Sequence, residues 1–261
     1  MNKFSTSPPK KPFNPLPIWL FLWIAIIWLI VFDLDISLQM LFYGLKDIAE
    51  YFSRYSNPDF SDINRYLQLL AETIATALWG TFIALFLGFL LAPFAARNLT
   101  HGRILYRISR ETLNFLRAMP DMLLGLIFVA ALGLGPLPGA LALGLHSAGF
   151  LGKFFAESLE RIDKGIIEAV QATGASKSQV VMYAGWPSIL RESIGYSLYI
   201  LDRNVRMASV LGLVGAGGIG LALYNNIKMF NYNESTTLIL LILSVILIFD
   251  YFSTWLRRKL T

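Results

Sequence analysis

The chain has 261 residues, 56% hydrophobic and 15% charged, with a formal net charge of +5; soluble domains carry about 25% charged residues, so composition argues against a soluble class. It has no cysteine, which excludes disulfides, thiol catalysis and a thiolate metal site, and its two histidines, His101 and His146, are too far apart to read as a metal pair. The positive charge fits the loop bias of a membrane protein better than a nucleic-acid footprint.

Six apolar segments follow one another, roughly at 16–33, 69–94, 119–135, 137–158, 189–212 and 236–255. Most are near the ~20 residues a spanning helix needs, so the expected fold is all-α and polytopic with six transmembrane helices. The first segment follows Lys3, Lys10 and Lys11, as a secretory leader would. It is rich in tryptophan (Trp19, Trp23, Trp28) and no A-x-A-like site follows, so it reads as an uncleaved first span. Between the first two spans, Leu38, Leu41, Phe42, Leu45, Ile48, Ala49 and Phe52 recur at helical spacing. That pattern predicts an interfacial helix on the bilayer, with a docking surface for an outside partner as the second reading. The third and fourth spans are joined by Gly133, Gly135, Pro136, Pro138 and Gly139, a tight turn that implies a helical hairpin.

Lysine and arginine are spread unequally over the loops. With the N-terminus inside, the inside segments 1–17, 95–117, 152–191 and 256–261 hold three, five, five and three. The outside segments 33–67, 135–138 and 213–235 hold three, none and one. The bias predicts both termini in the cytoplasm. Arg110, Glu111 and Arg117 in the first inside loop read as solvated or headgroup-contacting charges. Arg117 is also placed to touch a cytoplasmic partner.

The stretch 213–223 contains G-x-G-x-x-G at Gly215, Gly217 and Gly220. A dinucleotide fingerprint needs a strand before it and a helix after it within a βα unit. Here the glycines follow a transmembrane span and no βα alternation exists, so they serve another purpose. Nor is there a G-x-x-x-x-G-K-[ST] motif, since Gly152-Lys153 is followed by Phe154. The chain cannot cradle ATP in that manner.

The longest inside loop carries EAVQATGASKSQVVMYAGWP, residues 168–187. Ile166, Ala169, Val170 and Thr173 can share one face of a short helix. Gly174 suits the left-handed position that ends it. Ser176 and Gln179 form the spacing of a capping box for a second helix. Pro187 disfavours helical geometry at Trp186 and suits the first turn of the next span. The expected result is a helix–Gly–helix knob projecting from the membrane.

This spacing resembles the EAA loop of ABC importer permeases, with Val170 in place of the second alanine and Ala184 and Trp186 in place of the usual Ile and Leu. Segments 72–99, 113–120, 131–160 and 196–220 resemble the phosphonate branch of that family, with Ile200-Leu201-Asp202 departing from its aromatic–glutamate pattern. The resemblance spans about residues 68–260, leaving 1–67 as an N-terminal tail, first span and outside amphipathic loop ahead of a permease core at 68–261. It implies a type I ABC importer permease, importing phosphonates or related phosphite, hypophosphite or phosphate-like oxyanions, and no enzyme. A permease for another small solute and an ion-coupled secondary carrier are the alternatives.

The implied partners are a separate ABC ATPase in two copies, a periplasmic or lipid-anchored substrate-binding protein, a second permease copy in a homodimer, and membrane lipid. Neither nucleic acid nor a cofactor or metal is implied. The implied location is the bacterial inner membrane, with the loop at 160–187 as coupling element. Its candidate ATPase-coupling residues are Glu168, Ala169, Gly174, Ala175, Ser176 and Pro187. The candidate path or gate residues are Asp202, Arg203, Asn204 and Arg206 within the fifth span, and Gly215, Gly217, Gly218 and Gly220 after it. Charges at such depth usually face a cavity or a partner. Asp202 and Arg206, four apart, can pair, whereas Arg203 points about 100° away and is a candidate donor to an oxyanion. The bland reading of these charges is a structural network between helices.

Overall fold

The computed structural model describes residues 15–33, 38–100 and 102–260. Lys3, Lys10, Lys11, Asp35 and His101 lie outside the described residues, as do the side chains of Leu38 and Leu41. The regular structure among the described residues is all helical, with no strand. Two compact units divide the chain after Arg54. In the first, α1 (Leu16–Asp33) is apolar on every side and α2 (Leu38–Ser53) is the amphipathic helix expected from its spacing.

The second unit is built on α3 (Ile63–Ala95) and α6 (Pro136–Glu160). Every fourth residue of α3 is small and buried: Thr76, Gly80, Ala84, Gly88 and Ala92. On α6 the same holds for Ala140, Gly144, Ala148, Gly152 and Ala156. Lipid gives helices no hydrophobic reason to associate, so close backbone packing through small residues takes that role. A Cβ built at Gly80 would lie 2.7 Å from the Leu143 Cβ, and one at Gly88 3.1 Å from the Gly152 nitrogen. Gly139 meets Thr76, Gly80 meets Leu143, Gly88 meets Leu151, and Asn98 reaches Leu159, so contacts advance together and α3 and α6 run parallel.

Parallel neighbours need a crossover, which α4 (Arg103–Ala118) and α5 (Asp121–Leu132) provide. The two meet at an 87° bend over Met119 and Pro120. The loop expected at 95–117 is therefore mostly helix: α4 buries Ser109 and Leu113 and turns Ile104, Ile108 and Phe115 outward. It crosses α6 at Gly149, where a Cβ would come 2.6 Å from the Arg117 nitrogen. Arg110 is not a solvated charge: its Nη2 donates to Glu160 at 2.8 Å and its Nε to the Ala95 carbonyl at 2.9 Å. These contacts tie the end of α3, α4 and α6 together.

Beyond α6 come α7 (Lys164–Ala172), the single turn α8 (Lys177–Val180), a π-turn (Val181–Gly185) and α9 (Trp186–Leu211). A 3₁₀ turn (Gly212–Val214), α10 (Gly218–Lys228) and α11 (Tyr232–Leu260) complete the chain. Residues 55–66 fasten to α11: Asp59 donates its amide to Asn233, Thr237 its hydroxyl to the Asp59 carbonyl, and Tyr66 to Glu234.

Among the described residues, three helices (α1, α3 and α11) are long and apolar enough to cross a bilayer alone, or five spans if each bent pair counts as one. That differs from the six read off the sequence for two reasons. The expected span 119–135 is only the 12 residues of α5, about 18 Å of helix against ~30 Å of hydrocarbon. The 25-residue α6 is long enough, but its small and polar interior positions, such as His146, Ser147 and Ser158, dilute its hydropathy.

Candidate coupling loop and membrane charge cluster

The knob forms as its local signals dictate. Asp163 starts α7 by accepting the Gly165 amide at 2.8 Å. Gly174, at φ +83°, ends it, in a region that costs L-residues roughly 1–2 kcal/mol. Ser176 and Gln179 then complete a reciprocal capping box: the Gln179 side chain accepts the Ser176 amide at 2.7 Å and Ser176 Oγ accepts the Gln179 amide. The apolar face is shifted from the expected one, because Ile167 and Val170 turn inward while Ile166 and Ala169 stay exposed. Glu168, Ala169, Gly174 and Ser176 are all exposed, and Ala175 is half-buried.

Trp186 corrects the sequence expectation. It is helical, at φ −61° and ψ −41°, despite preceding Pro187. Its ring stacks on Phe89 at 4.1 Å and meets Phe155 edge-on at 5.7 Å, packing that outweighs the local pre-proline preference. The chain absorbs Pro187 through the π-turn: the Trp186 amide bonds five residues back to Val181, which relieves the crowding a proline imposes on the turn before it. α8 runs through the π-turn into α9 without a break.

The charge cluster sits on α9 between Asp202 and Arg206, facing α5 and α6. Arg206 donates to Asp202, the pairing expected from their spacing. Arg203 points elsewhere, to Asp121 Oδ2 at 3.2 Å and to His146 Nε2 at 2.8 Å. Arginine only donates, so His146 Nε2 must accept. The ring proton is then on Nδ1, which donates to the Met119 carbonyl at 2.7 Å. The guanidinium carbon also lies 5.2 Å from the centre of Phe150. The cluster therefore pins the α4–α5 bend to α6 and α9. Arg203 Nη1 is buried and has no hydrogen-bond partner among the described residues. Asn204 is fully buried, accepting from Ser147 Oγ at 2.8 Å and donating to Thr81 Oγ1 at 3.0 Å, a bridge between α3, α6 and α9.

The sequence alone does not mark Asp121 and His146 as partners of Arg203. Asp121 is the one acid in the apolar stretch 119–135, and His146 the one imidazole in 137–158. Those isolated polar residues were the available signal.

The glycine segment is folded tightly. Gly215, Gly217 and Gly218 have φ of +96°, +79° and +68°. Gly212 and Gly220 touch backbone to backbone, with a Cβ on Gly212 falling 2.7 Å from the Gly220 Cα. The turn is clamped from two sides. The Gly135 amide donates to the Gly215 carbonyl at 3.1 Å, while Glu72 and Thr73 of α3 accept the Gly218 and Ile219 amides at 3.1 and 2.9 Å. The helix N-terminus that would face a pyrophosphate in a dinucleotide fold thus meets the Glu72 carboxylate. No strand precedes it among the described residues.

The architecture agrees with comparisons to known proteins. A family model described as the binding-protein-dependent transport system inner membrane component matches residues 84–261. The chain is 40% identical over 215 residues to the phosphite transport system permease protein PtxC of Stutzerimonas stutzeri, covering 82% of this chain and 78% of that one. It is 39% identical over 217 residues to the phosphate-import permease protein PhnE of Mycolicibacterium smegmatis, covering 83% and 41%. Among solved structures, the inward-facing MetNI methionine ABC transporter aligns with a TM-score of 0.62 at 23% identity, over 76% of this chain and 96% of that one. A bacterial ABC transporter involved in alginate import aligns with a TM-score of 0.59 at 14% identity, over 95% and 96%. At such identities the structural likeness carries the fold alone. The chain belongs to the binding-protein-dependent transport system inner membrane components, the membrane-embedded permease subunits of ABC importers, and is a transport subunit rather than an enzyme.

Proposed function

We propose that the chain carries phosphorus oxyanions: phosphonates, phosphite, hypophosphite or phosphate-like anions delivered by an extracytoplasmic binding protein. The observation that carries this reading is the similarity to permeases named for phosphite and phosphate, at 40%, 36% and 39% identity over more than four-fifths of the chain. Relatives named for methionine transport match at only 24%.

In this reading two copies flank one path and each binds a cytoplasmic ATPase through residues 160–187, in the permease core 68–261. Six crossings put both termini inside, α5 and α6 making the short and the polar crossing. The lysine and arginine distribution supports that orientation. Glu168, Ala169, Gly174, Ala175, Ser176 and Pro187 form the coupling surface. What supports the assignment is that all of them but the half-buried Ala175 are exposed, on a capped knob and on the first turn of α9. Asp202, Arg203, Asn204 and Arg206 hold the membrane part in one of its states, and Gly215, Gly217, Gly218 and Gly220 hinge the outer gate.

The test is uptake of labelled phosphite by cells producing this permease with the ATPase and binding protein encoded beside it. Uptake that competes with methylphosphonate and not with methionine supports the substrate class. Competition by methionine alone refutes it.

A further inference from the structure

Just beyond the C-terminal end of α3, two cavities meet at one residue. The first is a groove of about 360 Å³ walled by Phe89, Leu90, Pro93, Phe94, Met182 and Trp186. Its surface is almost wholly apolar. The second, of about 430 Å³, is lined by Arg97, Thr100, Gly102, Arg103, Tyr106 and Arg107. Thr100 lines both, and its hydroxyl is buried without a hydrogen-bond partner among the described residues. Arg97, Arg103 and Arg107 are exposed, and among the described residues they make no ion pair. Arg110, one turn beyond Arg107 on α4, is matched to Glu160. The three guanidinium groups form a positive patch, with the Glu160 carboxylate close by as acceptor of the Arg97 amide at 2.8 Å; Arg103 and Arg107 stand on α4, which also exposes Ile104 and Ile108.

We propose that these two cavities form one binding site for an anionic phospholipid, with an acyl chain in the groove and the phosphate on Arg97, Arg103 and Arg107. The order of surfaces, a groove apolar over nearly all its area although Lys177 and Ser178 also line it, then Thr100, then guanidinium groups, matches the order of acyl chain, ester and phosphate along a phospholipid. Arginine forks recognise phosphate oxygens by paired hydrogen bonds. The groove alone would not select a lipid, because one acyl chain gains nothing from an apolar wall over another. Selection comes from the headgroup, and Thr100 marks the junction of the two halves. An amphipathic helix with arginines beside exposed isoleucines is placed as an interfacial helix would be, at headgroup level. The inference does not depend on which solute the permease carries. Its occupant would also touch Met182 and Trp186, at the root of the knob.

The experiment is native mass spectrometry of the permease purified with its ATPase, titrated with phosphatidylglycerol or phosphatidylcholine. Retention of phosphatidylglycerol over phosphatidylcholine is expected. Arg103→Gln with Arg107→Gln should weaken it about twenty-five-fold, at roughly five-fold per arginine, and Arg103→Lys with Arg107→Lys, which keeps the charge and loses the paired hydrogen bonds, should weaken it less. Leu90→Trp, which fills the groove and leaves the arginines intact, should also lower retention. Equal retention of both lipids, or an unchanged titration in the glutamine variant, overturns the proposal. So does displacement by millimolar inorganic phosphate, which would mark a free-anion site. Loss of the ATPase from the Leu90→Trp complex with phosphatidylglycerol retained would assign the groove to a protein partner and overturn it too.

Discussion

Asp121→Asn isolates the Arg203 guanidinium in the membrane part of the molecule while keeping its shape. The two side chains are 24% and 12% exposed and 3.2 Å apart. Removing one member of such a pair costs about 3–5 kcal/mol, because a charge is left without its partner. Arg203 keeps the His146 acceptor and the Phe150 face, so the lower end, about 3 kcal/mol, is expected. At roughly 2–4 °C per kcal/mol for a chain of this size, the purified protein should melt about 6–12 °C lower. Arg203→Gln should cost a similar amount, since it leaves the Asp121 carboxylate with the Met122 amide alone. The double variant removes both charges and should recover most of the loss, ending within about 1 kcal/mol of the original. The assay is a double-mutant cycle by thermal denaturation in detergent, followed by size-exclusion chromatography. Full additivity of the two single losses would refute the pairing as the organising contact of the α4–α5 bend.

Gly88→Leu should destabilise by about 1–3 kcal/mol, because its Cβ would stand 3.1 Å from the Gly152 nitrogen; thermal denaturation reads this, and Gly44→Leu, with nothing within 4 Å of the added carbon, should be nearly neutral. Ser176→Ala removes one half of the capping box and should loosen the first turn of α8 by about 1 kcal/mol, seen as roughly five-fold faster amide exchange at Gln179 and Val180. Gly218→Val combines a φ of +68° with collision against Thr73, and should lower uptake per assembled complex as well as the amount assembled; normal uptake per complex would defeat the hinge assignment.

The parts of the molecule legible in the sequence are those whose signals are local. The knob is the clearest case. A capping serine, its glutamine three residues on and a glycine at the helix end decide the backbone there, and the structure has all three in role. The Asp202–Arg206 contact is likewise a matter of spacing along one helix. The Trp186 backbone was not legible, because its conformation is settled by Phe89, some hundred residues away, against the local preference of a residue before proline. Arg203 failed to reveal its partners for the same reason: Asp121 and His146 come to it only through the packing of α5, α6 and α9. The sixfold span count departs from the helix lengths where polarity and burial separate. α6 is the most interior helix of the unit, so it does not need the hydropathy that a lipid-facing span needs.

The measurement that tests the coupling claim most directly uses the reconstituted permease, ATPase and binding protein. Glu168→Lys with Gly174→Asp alters only exposed knob positions, at one of which the backbone requires a positive φ. The account predicts that ATP hydrolysis ceases to respond to substrate-loaded binding protein and that uptake stops, with the permease still folded and present in the membrane. Unchanged uptake and unchanged stimulation would contradict it, and would move the site of energy coupling away from residues 160–187.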